Sequence, residues 1–332
     1  MNYRTLLYTC FIFLSLATIV TIVGTTQKEG KTVTLGLVAK SRSNPVFIAA
    51  YAGARVAARE IGEKYGIEVK IDWQTPPEES SQEQAQAIEQ LSRSGAGGIA
   101  IACSGEHILA SSIDKAVDRG IPVICFDSDA PQSKRFAYYG SDNIEFGRMI
   151  MQELAREMNE KGIIAILAGN KNAPNLKQRV QAILDELKKY PSMKLVKSGV
   201  CYHEEIPEKA AEVVSRVQKA NPQIGGWAFV GGWPLWAKNA IKWKPGQVKI
   251  VAADALPEEL EYLRSGHVQV LIAQNCFLWG YQSVVILLNK IVKNQEPAQQ
   301  MNVGPLVRVT KDNLDEWSLN WKKWLVKEAV YR

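Results

Sequence analysis

From residue 31 onward, short apolar runs alternate with longer stretches whose apolar positions recur every three or four residues. The runs TVTLGLV, GGIAIA, IPVICF, GIIAILAG, GGWAFV, VKIVAA and VQVLIA are nearly continuous. A sheet with one wet face would alternate instead, so these read as strands of a parallel sheet covered on both faces by helices. The stretches between them, such as PVFIAAYAGARVAAREIGEKYG, SSQEQAQAIEQLSRSG, EHILASSIDKAVDRG, NIEFGRMIMQELAREMNEKG and EKAAEVVSRVQKANP, are amphipathic helices. Several close on Gly, the residue that takes the left-handed turn at a helix end. Strand and helix alternate over about 280 residues, which predicts a doubly wound α/β fold.

A single sheet would need at least about ten parallel strands, more than a twisted sheet usually holds. The pattern also restarts near Tyr138, Gly140, Ser141 and Asp142, where a short strand leads into a second strand–helix series. Two similar parallel-sheet lobes joined by a hinge are therefore expected. Residues 31–141 with 275–304 form the first, and residues 142–274 with 305–332 the second. The chain crosses near Ser141, near Gln274 and a third time near Gly304. In the final segment, Trp317, Trp321 and Trp324 fall at helical spacing, a stripe expected to pack against a lobe.

The first thirty residues break the pattern. After MNYRT comes LLYTCFIFLSLATIVTIVG, residues 6–24, without a charge, followed by polar TTQKEGK. A short positive start, an apolar middle and a small-residue exit make an export signal peptide. The apolar part is also long enough for an uncleaved N-terminal membrane anchor. Cys10 lies inside the apolar run rather than after it, which argues against lipid attachment. On either reading the remainder lies in the periplasm, free or tethered to the inner membrane through residues 6–24.

Composition adds mostly exclusions. The 332 residues are 46% hydrophobic and 22% charged, with net charge +6. Lys and Arg are interleaved with Asp and Glu and form no basic block, so no nucleic-acid partner is expected. The place where a transcription regulator would carry a helix-turn-helix holds the apolar leader. Of five cysteines, four (Cys103, Cys125, Cys201, Cys276) follow the leader. None sits in a CxxC pair or a Cys/His metal spacing, so no metal site is expected. Cys103 and Cys125 fall near strand ends, where a disulfide or two buried thiols would both fit. No GxSxG, HExxH or GxxxxGK[ST] motif is present. Gly95, Gly97 and Gly98 precede their strand and cannot cradle a phosphate at a helix start. Cys201, His203 and Glu204 lack an activating partner. Neither an enzyme nor a cofactor is expected.

The polar residues that break this pattern stand at strand exits, the edge of an open α/β sheet where ligands bind. The first strand leads into Lys40 and Ser41, then into a helix capped by Asn44 and opened by Pro45. IPVICF exits into Asp127, Ser128 and Asp129, and GIIAILAG into Asn170, Lys171, Asn172 and Asn175, with Arg179 one turn into the next helix. GGWAFV exits into Gly231, Gly232 and Trp233, VKIVAA into Asp254, and VQVLIA into Gln274. Singly, each has a plain alternative: Asp127 and Asp254 as turn residues, Lys40 in solvent, Arg179 paired with Asp185 or Glu186 on its own surface, Trp233 as packing. Together they supply carboxylates that accept hydroxyl protons, a guanidinium fork and an aromatic face, the equipment for a polyhydroxylated ligand.

Over nearly the whole stretch from Lys31 to about Thr310, the chain resembles periplasmic substrate-binding proteins of the ribose-binding, type I class. SNPVF, GIPVICFDSDAP, YYGSDNIEFG, QRVQAI, VAADALPE and VQVLIAQ carry the resemblance by their order and spacing. It implies a substrate-binding receptor of an ABC importer, binding a sugar or polyol between two lobes. It carries ligand contacts to Asn44, Phe47, Asp127, Arg179, Asp254 and Gln274, with Lys40, Ser41, Ser128 and Trp233 added from this sequence. His203 or Tyr202 falls where an aromatic contact is expected. Val46 replaces a stacking aromatic, Ser128 an arginine and Gly232 an asparagine of ribose binders. Lys40 and the Asp127–Asp129 triplet resemble autoinducer-2 receptors, which gives an alternative reading as a tethered small-solute sensor. The implied partners are the ligand, an inner-membrane ABC permease and a chemoreceptor or sensor kinase, and the expected state is a monomer.

Overall fold

The computed structural model describes residues 31–330; the leader lies outside them. The first series runs β1 (Thr32–Val38), α1 (Pro45–Tyr65), β2 (Glu68–Trp73), α2 (Ser81–Arg93), β3 (Gly98–Ile101), α3 (Glu106–Asp118), β4 (Val123–Phe126) and β5 (Ala137–Gly140). The second repeats it with α4 (Asn143–Glu157), β6 (Gly162–Ala168), α5 (Pro174–Leu187), β7 (Met193–Tyr202), α6 (Pro207–Ala220), β8 (Ile224–Phe229), α7 (Trp233–Trp236), β9 (Lys249–Asp254), α8 (Pro257–Ser265) and β10 (Val270–Gln274). The chain then returns through α9 (Cys276–Lys293), β11 (Met301–Val303), β12 (Leu306–Val309) and α10 (Leu314–Val330).

The strands form two six-stranded sheets of matching order, β11-β5-β4-β3-β1-β2 and β12-β10-β9-β8-β6-β7. All pairings in the first are parallel. In the second only β12 runs antiparallel, against β10. The reason is connectivity: β11 passes straight into β12 across a two-residue link, too short for the crossover that parallel pairing would need. The central strands β3, β4 and β10 are buried at every position, whereas the edge strand β2 is buried at none.

Three passages join the halves: β5 to α4, β10 to α9, and β11 to β12. The two helical ones start alike. Asp142 accepts from the amides of Ile144 and Glu145 to cap α4, and Asn275 accepts from Leu278 to cap α9, satisfying amides that a helix start leaves free. The passages also touch. Ser141 donates to Gln274 (2.9 Å), and the Gly304 amide to the Gly140 carbonyl (2.8 Å). In the first half α9 lies directly on α1, where a Cβ on Gly53 or Gly280 would stand 1.9 or 1.8 Å from a carbonyl oxygen of the facing helix. Only glycine allows that approach.

The tryptophan stripe does more than cover one half. Trp317 and Trp321 reach the second half at Ala255, while Trp324 stacks on Phe277 of α9. Among the described residues no helix is long and apolar enough to cross a membrane. The four cysteines beyond the leader are free and buried, with Cys103 and Cys125 sulfurs 3.9 Å apart.

Candidate ligand-binding site

The strand exits of both sheets face each other across a narrow cleft whose free space is about 30 Å³, far below the roughly 300–1,000 Å³ typical of ligand pockets, so the walls stand nearly shut. From the first half come Lys40, Asn44, Val46, Phe47, Asp127 and Trp279. From the second come Asn175, Leu176, Arg179, Glu205, Val230, Gly231, Trp233, Trp236, Asp254 and Gln274. The polar groups are placed by backbone as much as by sequence. Asp127, Glu205 and Asp254 all adopt left-handed φ values, 55°, 61° and 89°, uncommon for residues with a Cβ and typical of functional sites.

Lys40 and Asp127 form an ion pair at 3.6 Å, with 3% and 5% of their side-chain surfaces exposed. Asn175 joins them from the opposite wall: its side-chain oxygen accepts from Lys40 (3.2 Å) and its side-chain nitrogen donates to Asp127 (3.1 Å). A second bridge spans the cleft where the Asn170 side-chain amide donates to Glu79 (2.8 Å). The two walls are therefore in direct contact.

The second wall is held by its own network. Arg179 donates to Asn143 (2.9 Å), to the Val230 carbonyl (3.0 Å) and to Gln274 (3.1 Å), with its guanidinium 4.0 Å from the Phe146 ring centroid. A Cβ on Gly147 would stand 2.2 Å from the Arg179 carbonyl oxygen, so glycine lets α4 press against the arginine's backbone. Asp254 accepts from the Gly232 amide (3.0 Å) and from the Gln274 side-chain amide.

These contacts set the charges. Burial alone would push Lys40 down, but the carboxylates of Asp127, Glu79 and Glu205 outweigh it and hold the ammonium above its usual range. Burial raises Asp254, against the opposing pull of Arg179 and two hydrogen bonds. Burial and the neighbouring Glu79 carboxylate raise Glu205 to about 8. His203, lowered by burial to about 4, is neutral; its Nδ1 accepts from the Glu205 amide (2.9 Å) and its ring meets Trp233 edge-on. The buried Cys125 and Cys276 thiols are pushed well up by loss of solvent, the opposite of what a nucleophile needs. Among the described residues no group of three or more His, Cys, Asp or Glu could hold a metal ion.

Of the residues singled out from the sequence, Lys40, Asn44, Phe47, Asp127, Arg179, Trp233, Asp254 and Gln274 line the cavity; Ser41 and Ser128 do not. Ser41 stays on the loop outside it. Ser128 is fully buried behind Asp127, its hydroxyl without a partner. Arg179 leaves Asp185 and Glu186 to Lys188 and Lys189 and turns inward. Tyr202 is exposed, and His203 backs Trp233 without lining the cavity. Asn175 stood among the strand-exit residues without a ligand role, and its bridge needs the opposite wall to be visible. Glu205, in the polar run HEEIPE, looks like a solvated loop acid. Trp236 and Trp279 look like packing. Their one legible signal was position: each lies within a few residues of a strand exit.

Two α/β halves of the same strand order, joined by three passages and meeting at a polar cavity between their strand ends, define a two-lobed solute-binding clamp. Residues 35–295 match the family model of the periplasmic binding protein domain, and the chain belongs to that family. It is 26% identical to the D-ribose/D-allose-binding protein of Pseudomonas aeruginosa over 270 residues, 76% of this chain and 82% of that one. It is 28% identical to the D-allose-binding periplasmic protein of Escherichia coli over 254 residues, 72% and 78% of the two chains. A solute-binding protein of an ABC transporter from Burkholderia graminis, solved in complex with D-arabinose, superposes with a TM-score of 0.79 at 29% identity, covering 86% of this chain and 98% of that one.

Proposed function

We propose that this chain captures a sugar or related polyol in its cleft and delivers it to the membrane permease of an ABC importer. It binds and does not catalyse. The observation that carries the reading is the cavity itself, with carboxylates, amides, a guanidinium, an ammonium and indole rings drawn from both walls. Ionised Asp127 accepts hydroxyl protons, Arg179 and Lys40 donate, and Trp233, Trp236, Trp279 and Phe47 offer apolar faces to ring C–H groups. The relatives named for D-ribose and D-allose, and the neighbour holding D-arabinose, point to the same ligand chemistry. They do not favour the signal-furanose alternative.

In this reading Lys40, Asn44, Phe47 and Asp127 grip from one side, and Asn175, Arg179, Glu205, Trp233 and Asp254 from the other, with Gln274 at the crossing. Residues 31–141 with 275–304, and 142–274 with 305–332, move as two bodies about the three passages. Contacts that exist only when the walls meet let a bound ligand favour the shut state. The site of action is the periplasm, with residues 1–30 as the export segment; the mass of the mature chain tests its removal.

A thermal-shift screen over D-ribose, D-allose, D-arabinose, other hexoses and polyols tests the function. A ligand at a hundred times its Kd adds about 2.7 kcal/mol of stability. A melting curve indifferent to every sugar and polyol would overturn the reading.

A further inference from the structure

The turn that carries Asp254 into the cavity is held by a helix that belongs to neither sheet. Asp254 and Ala255 are both left-handed, at φ 89° and 57°, a conformation that persists in non-glycine residues only where the surroundings impose it. Ala255 is gripped at both ends. Its amide donates to Glu259 Oε2 (2.7 Å), and its carbonyl accepts from the indole N–H of Trp317 (2.8 Å) and of Trp321 (2.9 Å). The other oxygen of Glu259 accepts from Trp236 (2.7 Å), itself a cavity wall. The equivalent turn of the first half is held from within: the buried Tyr138 hydroxyl donates to the Asp127 carbonyl (2.8 Å).

One turn further along α10, Trp324 packs edge-on against Trp321 (5.0 Å between centroids) and stacks on Phe277 (5.8 Å, 8° between planes). Phe277 lies just past Gln274, where the chain enters the first half, and clusters with Ala52 and Val56 of α1. The helix thus ends on two points that flank the hydrogen-bonded pair Asp254–Gln274, one in each half.

We propose that α10 is a strap: Trp317 and Trp321 are positioning residues that fix Asp254 through the Ala255 carbonyl, and Trp324 on Phe277 couples that turn to the angle between the halves. The inference rests on the proposed site but not on which molecule fills it, so its readouts use the full chain without added sugar and stand even if no sugar binds.

The test is hydrogen–deuterium exchange on the variant Trp317→Phe/Trp321→Phe, which keeps an aromatic ring at each position and removes both N–H donors. Amides in segment 253–256 are expected to exchange about tenfold faster, while those of β8 keep their protection. Unchanged exchange at 253–256, or equal acceleration throughout the second half, overturns the clasp. Should the double variant fail to fold, Trp321→Phe alone is read in the same way, with a smaller acceleration expected. For the coupling, Trp324→Ala is expected to expand the small-angle scattering profile with the melting temperature little changed. A profile identical to the parent overturns it.

Discussion

Asp127 and Asp254 occupy the same place in the two halves. Each stands at the carboxyl end of the fourth strand of its series, each is left-handed, and they are equally buried at 5% and 4% exposure. Their partners differ. Asp127 is paired with a buried ammonium of its own wall and reached across the cleft by Asn175. Asp254 accepts hydrogen bonds from neutral donors, the Gly232 amide and the Gln274 side chain, both from its own half, and feels the Arg179 guanidinium without a direct contact to it. Repeating a fold therefore repeats the position of a carboxylate but not its electrostatics. The first carboxylate can sense closure, because one of its bonds crosses the gap. The second forms a fixed floor.

The largest effect expected from this contrast is on folding stability. Asp127→Ala takes from buried Lys40 its directly paired carboxylate and should cost about 3–5 kcal/mol. Asp254→Ala strands two neutral donors and takes from Arg179 a carboxylate it does not directly contact, and should cost about 1–3 kcal/mol. Urea melts of the two variants without sugar measure both, and equal losses would break the comparison. The double substitution Lys40→Met/Asp127→Leu sharpens it: replacing the whole buried pair with apolar side chains is expected to recover most of the loss.

Next in size is a pH effect. Glu205 is raised from its ordinary 4.5 to about 8 by burial and by Glu79 on the facing wall. Opening the cleft rehydrates it and separates it from Glu79, so closing takes up a proton between those values. The closed, ligand-holding state is thus fully supported at low pH and loses support as pH rises toward 8. Between pH 6.5 and 8, where His203 no longer titrates, sugar affinity in isothermal titrations should fall by up to about tenfold per unit. Glu205→Gln should flatten the profile; an equally steep one would assign the effect to another group.

The smallest effect is expected at Asn175. Asn175→Ala removes a bridge worth about 0.5–1.5 kcal/mol, and only from the shut state. Scattering should show a more open average with the melting temperature nearly unchanged. The same substitution at Asn143, which supports Arg179 within the second half, should leave the scattering profile alone.

The central strands were legible because burial on both faces demands unbroken apolar runs, and TVTLGLV coincides with β1 residue for residue. The edge strands β2 and β7, EVKIDW and MKLVKSGVCY, were not picked out. One side of each meets solvent, so charges interrupt the run. Strand exits were legible for a related reason: a polar side chain directly after a dry strand needs an explanation. That logic found Lys40, Asp127, Arg179, Asp254 and Gln274, all of which line the cavity. It also proposed Ser41 and Ser128, since sequence does not tell which way a loop side chain turns.

By itself, then, the sequence determined the alternation of elements, the restart that makes two halves, and the edge at which polar groups collect. All of these follow from local hydrophobic periodicity and from caps acting over a few residues. Tertiary structure alone decided which groups meet: Asn175 between Lys40 and Asp127, Glu205 near Glu79, and Trp317 and Trp321 on one carbonyl of Ala255. Those pairings join residues from 48 to 135 positions apart or set buried charges against each other. Only the folded chain fixes such distances and removes the water that would otherwise screen them.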